Sequence, residues 1–484
     1  MDNIQSFGGS NAMTSLKHKT KTGLFWSFIS QGGRQVCQVL VIAVLARLLT
    51  PDVFGLLAMA VAFTEFVNVF LEMGIGSALI QKQDAVAEHY DSAFWLNIVA
   101  GLSFMVITFF LSSAIAGFYG QPKLKIILMA LSINFIVISL TIVPQSLLTK
   151  EMAFKKLALI DICAVLTSGL LGIILAFKGF GVWSLVTQVL SASLVSGILV
   201  WILSPWRPRM FFSMGRLREI WFFGANLMGF NVLNYFARNM DKLLIGRFLG
   251  AEALGLYSLA YRMVLFPLQN VSWSIGRVMF PAFSKIQFEV DKVREVYLEM
   301  IGKIAFVTFP LMAMLFACAP EIVRIFLGDQ WSGIVVLLRI FTFCGMVQSI
   351  GTTIGTVLLS QGKADWQFKL QIAGTTIVIL SISLGMKWGV CGVATAYTFQ
   401  SALWVIFVLF ITLRLVRGTL RLLWEKLGSH FFLSILILLN SMLSLKNAYL
   451  CLGVKLVVIA LSFIGGCILT RRFCFDKSGF RINI

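Results

Sequence analysis

Apolar stretches of about 17–25 residues, the length that crosses a bilayer as a helix, recur along almost the whole chain. Fourteen are predicted, near 24–46, 52–73, 93–117, 124–147, 157–177, 181–203, 220–246, 253–275, 300–319, 333–358, 367–386, 389–413, 431–445 and 453–470. The thirteenth is the shortest. The pattern predicts an all-α, polytopic membrane protein with 14 transmembrane helices. Composition agrees: 58% of the 484 residues are apolar and 13% are charged, against about 25% charged in a soluble domain. The first run follows Lys17, Lys19 and Lys21. No small-x-small cleavage site follows it and further spans come at once, so it is expected to be a retained membrane helix.

Basic residues fix the expected orientation. With the N-terminus inside, the inner segments hold 25 Lys and Arg, and the outer segments hold 8. Cytoplasmic loops carry such an excess, so both termini are expected in the cytoplasm. The same asymmetry accounts for the net charge of +19 without a nucleic-acid partner, and it favours contact with anionic membrane lipids. The outer loops are too short to form a domain. Among the longer inner loops, Leu420-Arg421-Leu422-Leu423-Trp424 fits either a helix lying on the inner leaflet or an ordinary connector.

The first twelve spans form two copies of one block. Arg47-Leu48-Leu49-Thr50-Pro51 and Gly55-Leu56 match Arg247-Phe248-Leu249-Gly250-Ala251 and Gly255-Leu256 at an offset of 200. Leu147-Leu148-Thr149 matches Leu358-Leu359-Ser360, and Gly181-Val182 matches Gly392-Val393, both at 211. Six spans is an even number, so the copies run in the same direction. They are expected to form two six-helix lobes related by a pseudo-two-fold axis along the membrane normal. The expected division is a polar cytoplasmic segment 1–23, an N-lobe 24–203, a C-lobe 220–413, two extra C-terminal helices within 431–470, and a cytoplasmic tail 471–484.

Polar faces run through several spans. Ser27, Gln31, Arg34 and Gln38 share one face of the first. Arg34 lies roughly 15 Å into it. Asn231, Asn234, Arg238 and Asp241 share a face of the seventh, and at the offset of 200 Gln31, Arg34 and Gln38 fall on Asn231, Asn234 and Arg238. Glu65, Asn68 and Glu72 share a face of the second, and Arg262 is mid-span in the eighth. A charge at mid-bilayer costs about 2.5–3.5 kcal/mol on the lenient scale, so these groups must face water, a partner or a ligand. Two arrangements meet that need. Internal pairs, Arg34 with Glu65 and Arg238 with Asp241, would be structural. Alternatively Arg34, Arg238 and Arg262, with Gln31, Gln38, Asn231 and Asn234, line a wet cavity between the lobes, where guanidinium forks suit a diphosphate or carboxylate. Glu65 and Asp241, as intramembrane acids, are candidates to exchange H⁺ or Na⁺ during a transport cycle. No cofactor and no metal are expected: the eight cysteines are scattered without a CxxC pair, the three histidines are isolated, and no phosphate-binding glycine loop occurs.

The stretches Gly32-Gly33-Arg34-Gln35, Leu45 to Leu56, and Gly74-Ile75-Gly76-Ser77-Ala78-Leu79-Ile80-Gln81 resemble the bacterial polysaccharide flippases, the Wzx-type exporters, and among them the colanic-acid-exporter-like branch. Asp241 to Gly250 and Gly255 to Ala260 fit the same family. The resemblance covers nearly the whole chain. Its superfamily also holds multidrug/cation antiporters and peptidoglycan-precursor flippases. It implies a V-shaped pair of six-helix lobes, alternating access and arginines in the central cavity, with Arg34 the position that fits best. It further implies an undecaprenyl-diphosphate-linked oligosaccharide as cargo, turned from the inner to the outer leaflet of the cytoplasmic membrane. A polysaccharide polymerase and chain-length machinery are the partners that go with it. An antiporter of the same fold is the alternative function, and its usually cationic cargo is at odds with three intramembrane arginines. A membrane enzyme would need a catalytic pocket outside the membrane, which the short outer loops do not build.

Overall fold

The computed structural model describes residues 32–82, 84–439 and 448–469, and the described residues are helical throughout, joined by short turns. Residues 32–48 form α1. There follow α2 (Pro51–Glu72), α3 (Ile75–Gln81), α4 (Ala87–Tyr119), α5 (Lys123–Lys150), α6 (Phe154–Phe177), α7 (Val182–Leu203) and α8 (Met214–Phe248). Then come α9 (Gly250–Lys285), α10 (Val290–Ala317), the single turn α11 (Ala319–Ile322), α12 (Ile334–Ser360), α13 (Ala364–Gly385), α14 (Gly389–Leu415), α15 (Leu420–Leu439) and α16 (Ala448–Leu469). Each expected span has a described helix on at least part of it, while residues 24–31, 440–445 and 470 of the first, thirteenth and fourteenth lie outside the described residues. Among the described residues, nine helical segments are long and apolar enough to cross a membrane, and one of them, Asp365–Leu415, contains both α13 and α14. The chain is a multi-pass membrane protein. α8 and α9 fall outside the nine because their polar faces dilute the apolar run. Leu420–Trp424 is the first turn of α15, continuous with the thirteenth span.

Helix ends follow local chemistry. Pro51 opens α2 at a position where its missing N–H costs nothing. α4 ends on Gly120 at φ 65°, with Gly120 N donating to Gly117 O at 3.1 Å and Gln121 N to Ala116 O at 3.0 Å. That is the paired-bond cap for which a left-handed glycine is suited. The joints that suggested a repeat can be compared in the same details. The α1–α2 break at Leu49–Thr50 and the α8–α9 break at Leu249 keep the offset of 200. α5 and α12 end in the same cap, on Met152 (φ 57°) and Gly362 (φ 71°), an offset of 210 rather than 211. The third match behaves differently. Gly181 sits before α7 with φ 55°, whereas Gly392 lies inside α14. There a Cβ on Gly392 would meet Gly385 O at 2.4 Å, so close helix packing explains that glycine.

By packing, the chain divides into Met1–Ala251 and Glu252–Ile484. The sequence repeat divides earlier, at 203–220. The difference is α8, which packs on α2, α3 and α4 of the first unit. A Cβ on Gly224 of α8 would meet Met73 O at 2.6 Å, and the Tyr235 hydroxyl donates to Ala62 O. In the same unit Gly101 lets α4 approach α5, where a Cβ would meet Ser139 Oγ at 2.6 Å. Small residues at helix contacts are how membrane helices pack closely. Val41, Leu45, Ala176 and Leu185 bind α1 to α6 and α7. In the second unit, α12 is the central helix, packed on α10 and α14. Its Gly345 faces Val264 and Met312, and Trp331 is fully buried.

Candidate functional site

In the first unit Arg34 projects from α1 toward α6, its Nη1 3.9 Å from Asp161 Oδ2. The two side chains are 39% and 41% exposed. The partner expected from the sequence was Glu65, but Glu65 is exposed on α2 and makes no ion pair with Arg34 among the described residues. Gln38, one turn after Arg34, is half-buried. Gln31 lies outside the described residues. An ion pair this open and this long is loose, and Asp161 has a further partner besides Arg34.

The second set lies on α8. Asn231 and Asn234 are half-buried and Arg238 is exposed. Asp241 is only 6% exposed, and its Oδ1 accepts from Lys242 N at 2.8 Å. Neither Arg238 nor Asp241 is free of partners. The Phe66 and Tyr235 rings, 5.2 Å apart, hold α2 against this part of α8, and Glu65 precedes Phe66. The structure therefore brings the acid of α2 to the Asn234–Arg238 segment. Arg262, exposed on α9, belongs to the second unit and also has partners.

Two ionic groupings escaped the sequence reading. The first fastens the start of α8. Glu219 accepts from Lys82 Nζ at 3.0 Å, His89 Nε2 at 3.1 Å and Arg216 Nη1 at 3.1 Å. Arg216 Nε also reaches Glu88 at 2.7 Å. His89 Nδ1 accepts from Val86 N at 3.2 Å, which leaves Nε2 as the donor to Glu219. Lys82 first, then His89 and Arg216, pull the Glu219 carboxyl down to about 2. The preceding loop docks on the same end of α4: Arg209 N donates to Asp91 Oδ1 at 3.1 Å and Trp95 Nε1 to Arg209 O at 2.8 Å. The second grouping is in the other unit. Lys455 of α16, 2% exposed, donates to Glu321 Oε1 at 2.7 Å and to Ala317 O at 3.0 Å. Cys451 Sγ adds a contact to the same carboxylate at 3.1 Å. A lysine inside the last apolar run was the signal available for this pair.

Comparison with known proteins follows the same lines. Residues 44–336 match the family described as "Polysaccharide biosynthesis protein". The chain is 32% identical over 359 residues to the teichuronic acid biosynthesis protein TuaB of Bacillus subtilis (strain 168), covering 74% of each chain. It is 28% identical over 412 residues to the lipopolysaccharide biosynthesis protein WzxC of Escherichia coli (strain K12), covering 84% of this chain and 83% of that one. Among solved structures it is similar to the lipid II flippase MurJ in an inward closed conformation. That match has a TM-score of 0.74 at 16% identity and covers 92% of this chain and 98% of the other. An inward-facing multidrug transporter of the MATE family matches with a TM-score of 0.63 at 15% identity, over 81% of this chain and 98% of that one.

Proposed function

Because the chain belongs to the polysaccharide biosynthesis protein family, we propose that it is a flippase for undecaprenyl-diphosphate-linked oligosaccharide repeat units. It carries them from the inner to the outer leaflet of the bacterial cytoplasmic membrane by alternating access, for surface polysaccharide synthesis. In this reading the chain crosses that membrane fourteen times with both termini in the cytoplasm, and spans 1–6 and 7–12 are related lobes. The sugar-bearing part of the cargo passes between them while the lipid tail stays in the bilayer, and a polymerase and chain-length machinery take over the product.

The observation that carries the site is the loose Arg34–Asp161 pair. Two charges about two-fifths exposed within a membrane span do not face hydrocarbon, where each would be costly. In this reading they line a polar cavity, and the guanidinium there turns from a carboxylate at 3.9 Å to a diphosphate that offers forked acceptors. Arg238 and Arg262, with Gln31, Gln38, Asn231 and Asn234, are the other residues assigned by this reading to the anionic part of the cargo. Glu65 and Asp241 are the groups proposed to exchange H⁺ or Na⁺. A cation antiporter gains nothing from such arginines, which repel its cargo. The test is a deletion strain: loss of this protein should stop surface polysaccharide export and leave lipid-linked repeat units unpolymerised on the inner leaflet. Export at the normal level without it would refute the proposal.

A further inference from the structure

The second unit holds a lateral groove whose lining residues are not among those assigned to the proposed site. It lies between α10, α12 and α14, has a volume of about 510 Å³, and is lined by Phe316, Val336, Arg339, Phe343, Thr398 and Phe399 among others. All three helices contribute from one end. Phe316 is the penultimate residue of α10, Arg339 is the sixth of α12 and Thr398 the tenth of α14. On the charge asymmetry of the sequence this is the end away from the basic loops. Val336, Phe343 and Phe399 are exposed, so the groove opens sideways along an apolar surface.

Arg339 is the anomaly in that surface. Its guanidinium lies over the Phe316 ring, 5.2 Å from the centroid, and its Nε is buried with no hydrogen-bond partner. No acid pairs with it among the described residues. About 7.5 Å from the start of α12 at the helical rise, it is close enough to the interface to meet a head group. A buried N–H without an acceptor is costly, and the rest of this half-buried guanidinium keeps donors that suit a phosphate. The groove supplies space for an apolar chain, and the arginine lacks an anion.

We propose that this groove binds an anionic phospholipid of the bilayer, its phosphate on Arg339 and an acyl chain along α12 and α14. A zwitterionic lipid offers the same phosphate but brings an ammonium group next to the guanidinium, so the site prefers the anionic one. The leaflet is the outer one, which rests on the proposed topology; the site itself does not depend on the transported cargo.

The test is lipid retention by the purified full-length protein in mixed vesicles of phosphatidylglycerol and phosphatidylethanolamine with identical chains, read by native mass spectrometry after extraction. Wild type should keep a phosphatidylglycerol in preference. Arg339→Gln should lower that retention about fivefold, the size of one basic residue's interaction with anionic lipid, and lower phosphatidylethanolamine retention by less, so that the preference falls. Arg339→Lys should keep part of the preference. Ala402→Trp, which fills the groove and leaves Arg339 in place, should lower retention of both lipids and reports independently of how well the Arg339 variants fold. Unchanged preference in Arg339→Gln, or unchanged retention of both lipids in Ala402→Trp, would overturn the proposal. So would displacement of the phosphatidylglycerol by inorganic phosphate, which would make the site a simple anion site, or by polyprenyl diphosphate at equal concentration, which would make the occupant the carrier lipid.

Discussion

Arg34 and Asp161 face each other at 3.9 Å with both side chains about two-fifths exposed, and this geometry makes distinct forecasts for three variants. Recognition through forked donors predicts that Arg34→Lys impairs export and Arg34→Ala abolishes it at normal protein levels. A structural pair predicts instead that Arg34→Ala lowers the protein level and that Arg34→Ala with Asp161→Ala restores both level and export. Immunoblot and polysaccharide yield separate the two, and the first outcome is expected. Arg34 was legible in the sequence because a charge ten residues into an apolar run has few explanations. Asp161 was not, because it lies near the start of its run and resembles an edge charge. Periodicity says which face of α1 is polar; it does not say which helix packs there, so Glu65 was the partner expected and Asp161 the one found. At Met152 the backbone is left-handed at φ 57°, where the matching cap of α12 uses Gly362. A side chain in that conformation costs roughly 1 kcal/mol, so Met152→Gly should raise the thermal midpoint slightly in a detergent melt.

α8, which the sequence matches assign to the second copy, packs with the first unit. Its offset matches to α1 were visible in the sequence. Its attachment to α2, α3 and α4 was not, because it depends on Gly224 against Met73 O and on the charge cluster at its start. That cluster has a pH signature. A carboxylate whose folded pKa is depressed, here from 4.5 to about 2, contributes stability above its unfolded value and loses it as pH falls through the folded one. Docking of the 204–219 segment should hold from pH 8 to 5 and weaken between about 4.5 and 2. Hydrogen exchange at Ser213 to Leu217 should show this after correction for intrinsic rates, and Glu219→Gln should raise exchange already at pH 7. Equal protection in Glu219→Gln would contradict it. α16 depends on the buried Lys455–Glu321 pair at 2.7 Å. Lys455→Met leaves the carboxylate buried and unpaired, at a cost of about 3–5 kcal/mol, whereas Lys455→Met with Glu321→Leu should recover most of that. Thermal midpoints of the three proteins check it.

For the molecule entire, the apolar runs and the helical class were readable from one sequence because bilayer thickness constrains span length so strongly, and the family was readable from the resemblance carried by stretches such as Leu45 to Leu56 and Gly74 to Gln81. Residue pairing between helices was not, since lipid-exposed and helix-packed apolar residues look alike in a chain. Topology is open to direct test: in a cysteine-free background, Lys123→Cys and Lys387→Cys should react with an impermeant thiol reagent from the outside only, and labelling from the cytoplasmic side alone would refute the orientation. Transport is tested most directly with purified protein in sealed vesicles holding a lipid-linked oligosaccharide whose sugar carries a fluorophore. Quenching from outside then follows its passage between leaflets. Wild-type protein should speed that passage well above protein-free vesicles, and folded Arg34→Ala protein should return it to the protein-free rate. Wild-type vesicles no faster than protein-free ones with the native cargo, or Arg34→Ala vesicles as fast as wild type, would contradict the mechanism proposed.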